Sequence, residues 1–106
     1  MFENEIKKDT AILVGVNLNN DVTFEHSMKE LKSLTEACDM EVVCIYTQNL
    51  PSPNTALYVG TGKVKEIQES LQMYEANTVI FDNVLSPIQV RNLTEELQAV
   101  VLDRTA

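Results

Sequence analysis

Ala11-Ile-Leu-Val-Gly-Val-Asn-Leu18 decides the fold of this 106-residue chain. It is a short, nearly continuous apolar run. A strand with one wet face alternates apolar and polar residues, whereas a run like this suits a strand buried on both faces, as in parallel sheets. Similar runs return further along, at Glu41-Val-Val-Cys-Ile-Tyr-Thr47, Asn77-Thr-Val-Ile-Phe-Asp82 and Ala99-Val-Val-Leu102. They are rich in β-branched residues, which favour extended backbone.

Helical patterns fill the gaps. Phe24, Met28, Leu31, Leu34 or Thr35, and Cys38 recur at three- and four-residue steps, opposite Glu25, Lys29, Lys32 and Glu36. Val64, Ile67, Leu71 and Tyr74 form a second stripe, and Val90, Leu93 and Leu97 a third. Asn19-Asn20-Asp21 supplies turn chemistry, and Asp21 or Thr23 can cap the first helix. Ser86-Pro87 opens the third helix with Pro at its first position, and Gln89 completes a capping box with Ser86.

The alternation β-α-β-α-β-α-β predicts an α/β fold: a small open sheet of about four parallel strands, joined by right-handed crossovers, with helices on both faces. Residues 1–10 read as a flexible lead-in and 11–106 as a single domain. The segment from Gln48 to Ala56 contains Pro51 and Pro53 and reads as an irregular, functional or mobile loop. Leu57-Tyr58-Val59 reads as a brief extended edge piece. The fourth strand is expected at an edge, and a chain that stops right after it reads as a fragment whose next segment covers that edge.

Composition narrows the function. Sixteen acids against eight bases give a net charge of −8. A broad nucleic-acid surface needs the opposite balance, so no DNA binding is expected, and any RNA contact must be local or be made together with a more basic neighbour. Cys38 and Cys44 form no C-x-x-C pair and read as reduced packing residues. With His26 they cannot supply a zinc site, so no metal is expected. No apolar run approaches the ~20 residues of a membrane span, and the polar start has no signal core, which predicts a cytoplasmic protein.

In open α/β sheets chemistry sits at the carboxyl ends of the strands. Those ends carry Asn17, Asn19, Asn20 and Asp21, then Thr47 and Gln48, then Asp82 and Asn83, then Asp103 and Arg104. Turn and cap duty explains many of them. Gly60-Thr-Gly-Lys63 is similar to a phosphate loop. However, Leu57 stands where the first Gly should be and Val64 where a Ser or Thr must hold magnesium, so a P-loop is excluded. Two readings remain: a tight turn into a capped helix, or an anion or nucleotide site formed by Gly60, Thr61, Gly62, Lys63, Asp82 and Asn83. Asp82 also resembles the phosphate acceptor of receiver domains. The uncharged Asn17–Asn20 and the lack of a fifth strand with its Lys argue against that. No residue qualifies as catalytic.

Three segments together resemble one family. Tyr58-Val-Gly-Thr-Gly-Lys-Val-Lys-Glu-Ile67, Val79-Ile-Phe-Asp-Asn-Val-Leu-Ser-Pro-Ile-Gln-Val-Arg-Asn-Leu93 and Val101-Leu-Asp-Arg-Thr105 resemble the N-terminal domain of the HflX ribosome-associated GTPases in order and spacing. The resemblance implies a parent protein with a downstream helical region and a G domain that binds and hydrolyses GTP with Mg²⁺. It also implies association with the 50S ribosomal subunit, through rRNA and protein, and a link to splitting or rescuing stalled ribosomes. On this reading the chain itself is a non-catalytic docking and regulatory domain without a cofactor of its own. Lys63, Lys65, Arg91, Asn92 and Arg104 are its candidates for RNA or interdomain contact. The alternative is an ATP-like nucleotide-binding domain using the strand ends and Gly60–Lys63.

Overall fold

The structure, a computed structural model, describes residues 9–104. Its elements are β1 (Asp9–Leu18), α1 (Phe24–Ala37), β2 (Met40–Leu50), α2 (Thr61–Met73), β3 (Thr78–Phe81), α3 (Pro87–Leu97) and β4 (Val100–Leu102). The four strands form one sheet in the order β2-β1-β3-β4, and every ladder is parallel. The expected α/β architecture is present. β1 starts two residues earlier than its apolar run, because Asp9 and Thr10 pair with Met40 and Glu41. The rest of the expected lead-in, residues 1–8, lies outside the described residues, as does Thr105.

β1 holds the sheet together. Ala11 to Val16 are all buried, and successive side chains point to opposite faces. Ile12, Val14 and Val16 enter a core with Val64, Ile67 and Leu71 of α2, Leu93 and Leu97 of α3, and Phe81 and Val79 of β3. Ala11 and Leu13 enter a smaller core with Met28 and Leu31 of α1 and Ile80 of β3. One helix therefore covers one face and two cover the other. Each fully buried Val, Leu or Ile contributes about 1.5–3 kcal/mol relative to exposure, so this strand dominates the stability of the domain.

The helix stripes match with instructive differences. On α1 the buried positions are Met28, Leu31 and Thr35, while Leu34 is exposed. Thr35 satisfies its hydroxyl by donating to the Leu31 carbonyl at 2.8 Å. Cys38, read as packing, is instead exposed at the C-cap. Tyr74, read as part of the second stripe, is half exposed, and Ser70 lies in the buried face of α2 instead. Thr23 is the N-cap residue of α1 but makes no side-chain cap. Asp21 accepts from both the Thr23 amide and hydroxyl, and those bonds hold its carboxyl below the usual range. α3 begins as read, with Pro87 in the first turn and a complete Ser86–Gln89 capping box.

Gly15 and Gly62 differ in what they would tolerate. A Cβ on Gly15 would stand 2.3 Å from Met28 Sδ and 2.9 Å from Phe24 Cζ. One on Gly62, inside α2, would meet nothing within 4 Å. Gly15→Ala should therefore destabilise the domain by about 1–3 kcal/mol, and Gly62→Ala should stabilise it by up to about 1 kcal/mol. Urea titration of both variants checks the pair. A neutral Gly15→Ala would mean that α1 does not pack closely over β1.

Candidate functional site

The sheet order reverses between β1 and β3, since β1 leads outward to β2 and β3 leads the other way to β4. Such a switch point opens a crevice at the carboxyl ends of the two strands. Here it holds a cavity of about 170 Å³ lined by Asn17, Asp21, Thr23, Ser27, Asp82 and Asn83, among others. Its walls are occupied by their own contacts. Ser27 donates to both Asp82 oxygens, at 2.8 and 3.1 Å. Arg104 Nε donates to Asp82 Oδ1 at 2.9 Å, and its Nη2 reaches the Ser27 carbonyl at 3.2 Å and Glu30 at 3.1 Å. The Asp82 side chain is only 7% exposed. A carboxylate that deep needs such partners, because burying it alone costs several kcal/mol. The network ties the residue after β3, the first two turns of α1 and the second residue after β4 into one unit.

Asn83 acts as an extra rung of sheet. Its Oδ1 accepts the Val16 N–H at 2.9 Å and its Nδ2 donates to the Val16 carbonyl at 3.0 Å. The β1–β3 ladder ends at Val14 and Phe81, and the amide continues it by side chain. Asp103 Oδ2 accepts the Leu85 N–H at 2.8 Å and so holds the turn before α3.

The segment between β2 and α2 is ordered by long-range bonds. Asn54 Oδ1 accepts the Ala56 and Leu57 amides, and Asn54 and Tyr58 exchange backbone bonds in an isolated antiparallel bridge. Gln89 does two jobs: its Oε1 accepts the Ser86 amide at 2.8 Å and its Nε2 donates to the Asn54 carbonyl at 2.9 Å. Asn92 Nδ2 donates to the Ala56 carbonyl at 3.1 Å. Tyr58 does not lie in an extended edge piece, as its sequence context suggested. Its φ is +67° and the Val59 amide bonds back to the Leu57 carbonyl, making a γ-turn. A bulky residue there is strained and persists only where its surroundings hold it. The buried ring supplies the hold. Burial also pushes the Tyr58 phenol up, while its hydrogen bond with Asn83 pulls the other way.

The candidate anion residues are divided by the sheet. Gly60 is the N-cap of α2 with ordinary extended backbone, so no left-handed turn requires a glycine. Its N–H already donates to Gln48 Oε1 at 3.0 Å. Thr61, Gly62 and Lys63 form the first turn of α2. Lys63 stands over the Tyr46 ring at 5.6 Å and 3.6 Å from Glu66. Asp82 turns to the α1 side of the sheet, away from α2. Lys65 and Arg91 are exposed and make no hydrogen bond or ion pair among the described residues. A groove of about 350 Å³ runs between α2 and α3 past Thr61, Gly62, Lys65 and Glu96. Another, of about 440 Å³, runs beside α3 and β4 past Leu85, Pro87, Arg91 and Val101.

Ser27, Glu30, Gln48 and Asn54 were not foreseen in these roles. Their partners lie far along the chain, and a helix stripe or a turn motif does not signal that. Among the described residues no group of three His, Cys, Asp or Glu could hold a metal ion. No helix among them is long and apolar enough to cross a membrane.

Comparison with known proteins follows the same segments. Residues 25–106 match the family model described as GTP-binding GTPase N-terminal. The GTPase HflX of Alkalihalophilus pseudofirmus is 41% identical over 96 residues, covering 90% of this chain and 23% of that protein. The GTPase HflX of Escherichia coli is 33% identical over 105 residues, covering 99% of this chain and 24% of that protein. The chain thus spans about a quarter of the length of these relatives. A GTP-binding protein from Sulfolobus solfataricus, solved in complex with GDP, superposes with a TM-score of 0.65 at 25% identity, over 91% of this chain and 27% of that one.

Two sets of variants test the roles assigned here. In a double-mutant cycle on Asp82→Ala and Arg104→Ala, each single change should cost about 1–3 kcal/mol and the pair should couple by at least about 1 kcal/mol. Additive losses would mean that the ion pair is incidental. Gln89→Glu keeps the cap acceptor but loses the donor to Asn54. It should leave α3 intact while raising amide exchange across Asn54–Val59, whereas Gln89→Leu should also loosen the start of α3. Loop exchange unchanged from the wild type in both variants would separate Gln89 from the loop.

Proposed function

The chain belongs to the HflX family of GTPases, as its GTP-binding GTPase N-terminal domain, and on that premise we propose that it is a non-catalytic docking and regulatory domain. Its parent binds and hydrolyses GTP with Mg²⁺ in a G domain outside this chain and works in the cytoplasm. The docking target is the large ribosomal subunit, where the parent splits or rescues stalled ribosomes. One observation carries the reading. The family-motif residues Asp82, Ser86, Gln89, Asn92, Asp103 and Arg104 are all engaged inside the domain. They build a scaffold and do not frame a reaction centre. Of the five contact candidates, Lys65 and Arg91 keep free charges, on opposite flanks of α3, and these are the ones assigned to RNA phosphate. Lys63, Asn92 and Arg104 are engaged elsewhere: Lys63 with Glu66 and the Tyr46 ring, Asn92 with the Ala56 carbonyl, and Arg104 with Asp82, Ser27 and Glu30 on the α1 side.

The net charge of −8 makes any such contact local, because phosphate binding scales with the number of cations presented. In the full-length GTPase, Lys65→Ala with Arg91→Ala should weaken co-sedimentation with large ribosomal subunits about tenfold. Each substitution should lower the salt slope of binding by about one. GTP turnover without ribosomes should not change. Unaltered subunit binding would sink the assignment.

A second reading, a nucleotide site at the start of α2, is favoured by the groove beside Thr61, Gly62 and Lys65. Its volume lies within the range of small-molecule sites, about 300–1,000 Å³. Titrating the chain with ATP separates the two readings. A saturable shift that Lys65→Ala, at the groove wall, abolishes supports the nucleotide site, and no shift at millimolar ATP removes it.

A further inference from the structure

The two residues that follow β4 are tied down on both sides of the sheet. Asp103 Oδ2 accepts the Leu85 N–H at 2.8 Å, in the turn before α3. Arg104 turns to the α1 side. Its Nε donates to Asp82 Oδ1 at 2.9 Å, and its Nη2 reaches the Ser27 carbonyl, the Ser27 hydroxyl and Glu30 Oε1 at 3.2, 3.2 and 3.1 Å. Its partners are themselves fixed. Asp82 follows β3 directly, and its own N–H donates to the Val14 carbonyl of β1 at 2.8 Å. Ser27 and Glu30 stand on α1. The Asp82 side chain is 7% exposed and that of Arg104 24%. A shielded, charge-assisted pair of this kind fixes direction as well as distance, unlike an exposed surface pair, which is worth little. A chain end is poorly ordered unless it is tied down, and here the ties come within two residues of a strand that is only three residues long.

We propose that Arg104 is a positioning residue for the parent GTPase: it braces the chain where it leaves β4, so that docking of this domain orients the downstream domains and does not simply tether them. The inference rests on the reading of the chain as the docking and regulatory domain of a larger GTPase, whose other domains follow Arg104 in sequence. Two mechanical cases differ in outcome. Through a loose joint, docking raises only the effective concentration of the G domain near its target. Through a braced exit, the orientation of the docked α2 and α3 face fixes the direction in which the chain continues. Coupling between distant sites is carried by such contiguous networks of packed and hydrogen-bonded groups. Here the network runs from α1 and the end of β3 to the guanidinium, with no flexible residue between β4 and the brace.

The full-length GTPase is compared with Arg104→Gln and with a variant carrying two glycines inserted between Arg104 and Thr105. The first removes the brace. The second keeps every bond of Arg104 and adds a flexible joint just beyond it. Both should bind large ribosomal subunits within about twofold of the wild type and keep their GTP turnover without subunits. Both should lose at least about fivefold of the turnover reached at saturating subunits. Arg104→Lys keeps a charge for Asp82 without the fork to Ser27 and Glu30, and should fall between. A purely structural role would lower the melting temperature of Arg104→Gln and leave the glycine insertion without effect, so the insertion carries the test if Arg104→Gln misfolds. Distances between spin labels at Cys38, exposed at the end of α1, and on the G domain give a readout without ribosomes, with the remaining cysteines replaced. Their distribution should broaden in both variants. Stimulated turnover that survives in both variants overturns the proposal, and so do distributions as narrow as that of the wild type. A wild type that does not bind large subunits overturns the docking reading instead, and the brace then stands or falls on the distance distributions.

Discussion

Burial of β1 on both faces is the constraint from which the rest follows. Six consecutive residues, Ala11 to Val16, are shielded from water, and a strand can reach that state only between two layers. One layer is α1 and the other is the pair α2 and α3. With right-handed crossovers, helices on opposite faces require the chain to move in opposite directions from β1. The strand order β2-β1-β3-β4 is the result. The same reversal creates the crevice where Asp82 and Asn83 end β3.

The polar edge shows how an α/β domain can close its own switch point. Arg104 reaches back over the edge to Asp82, Ser27 and Glu30, and Asn83 continues the sheet through Val16. Each bond of this kind contributes only about 0.5–1.5 kcal/mol net, but leaving the buried partner unpaired costs more. That asymmetry makes the set interdependent. It also fixes where the chain leaves β4, since the guanidinium beyond the strand is anchored to α1. A neighbouring domain attached at this end would start from a defined direction.

The acidic character of the surface separates the faces of the domain. Lys65 and Arg91 are exposed cations flanking α3 on a body of net negative charge, whereas the Cys44–Leu50 part of β2 carries no charge.

Local pattern determined much of this protein. Four apolar runs and three stripes were enough for the strands, the helices, their order and the two-layer cover, because burial forces periodicity onto the sequence. The capping box of Ser86 and Gln89 was equally legible, since both partners lie within one helical turn. Tertiary structure alone decided that Gln89 also clamps Asn54, that Arg104 is turned inward onto Asp82, that Gly60 needs no glycine geometry and that Tyr58 carries the strain of a γ-turn. Each of these depends on residues brought together from distant parts of the chain, except for Gly60, whose neighbour Gln48 waits across a loop. A hydrogen bond leaves no periodic trace in the sequence, so a polar motif residue reads the same whether it faces a ligand or its own fold.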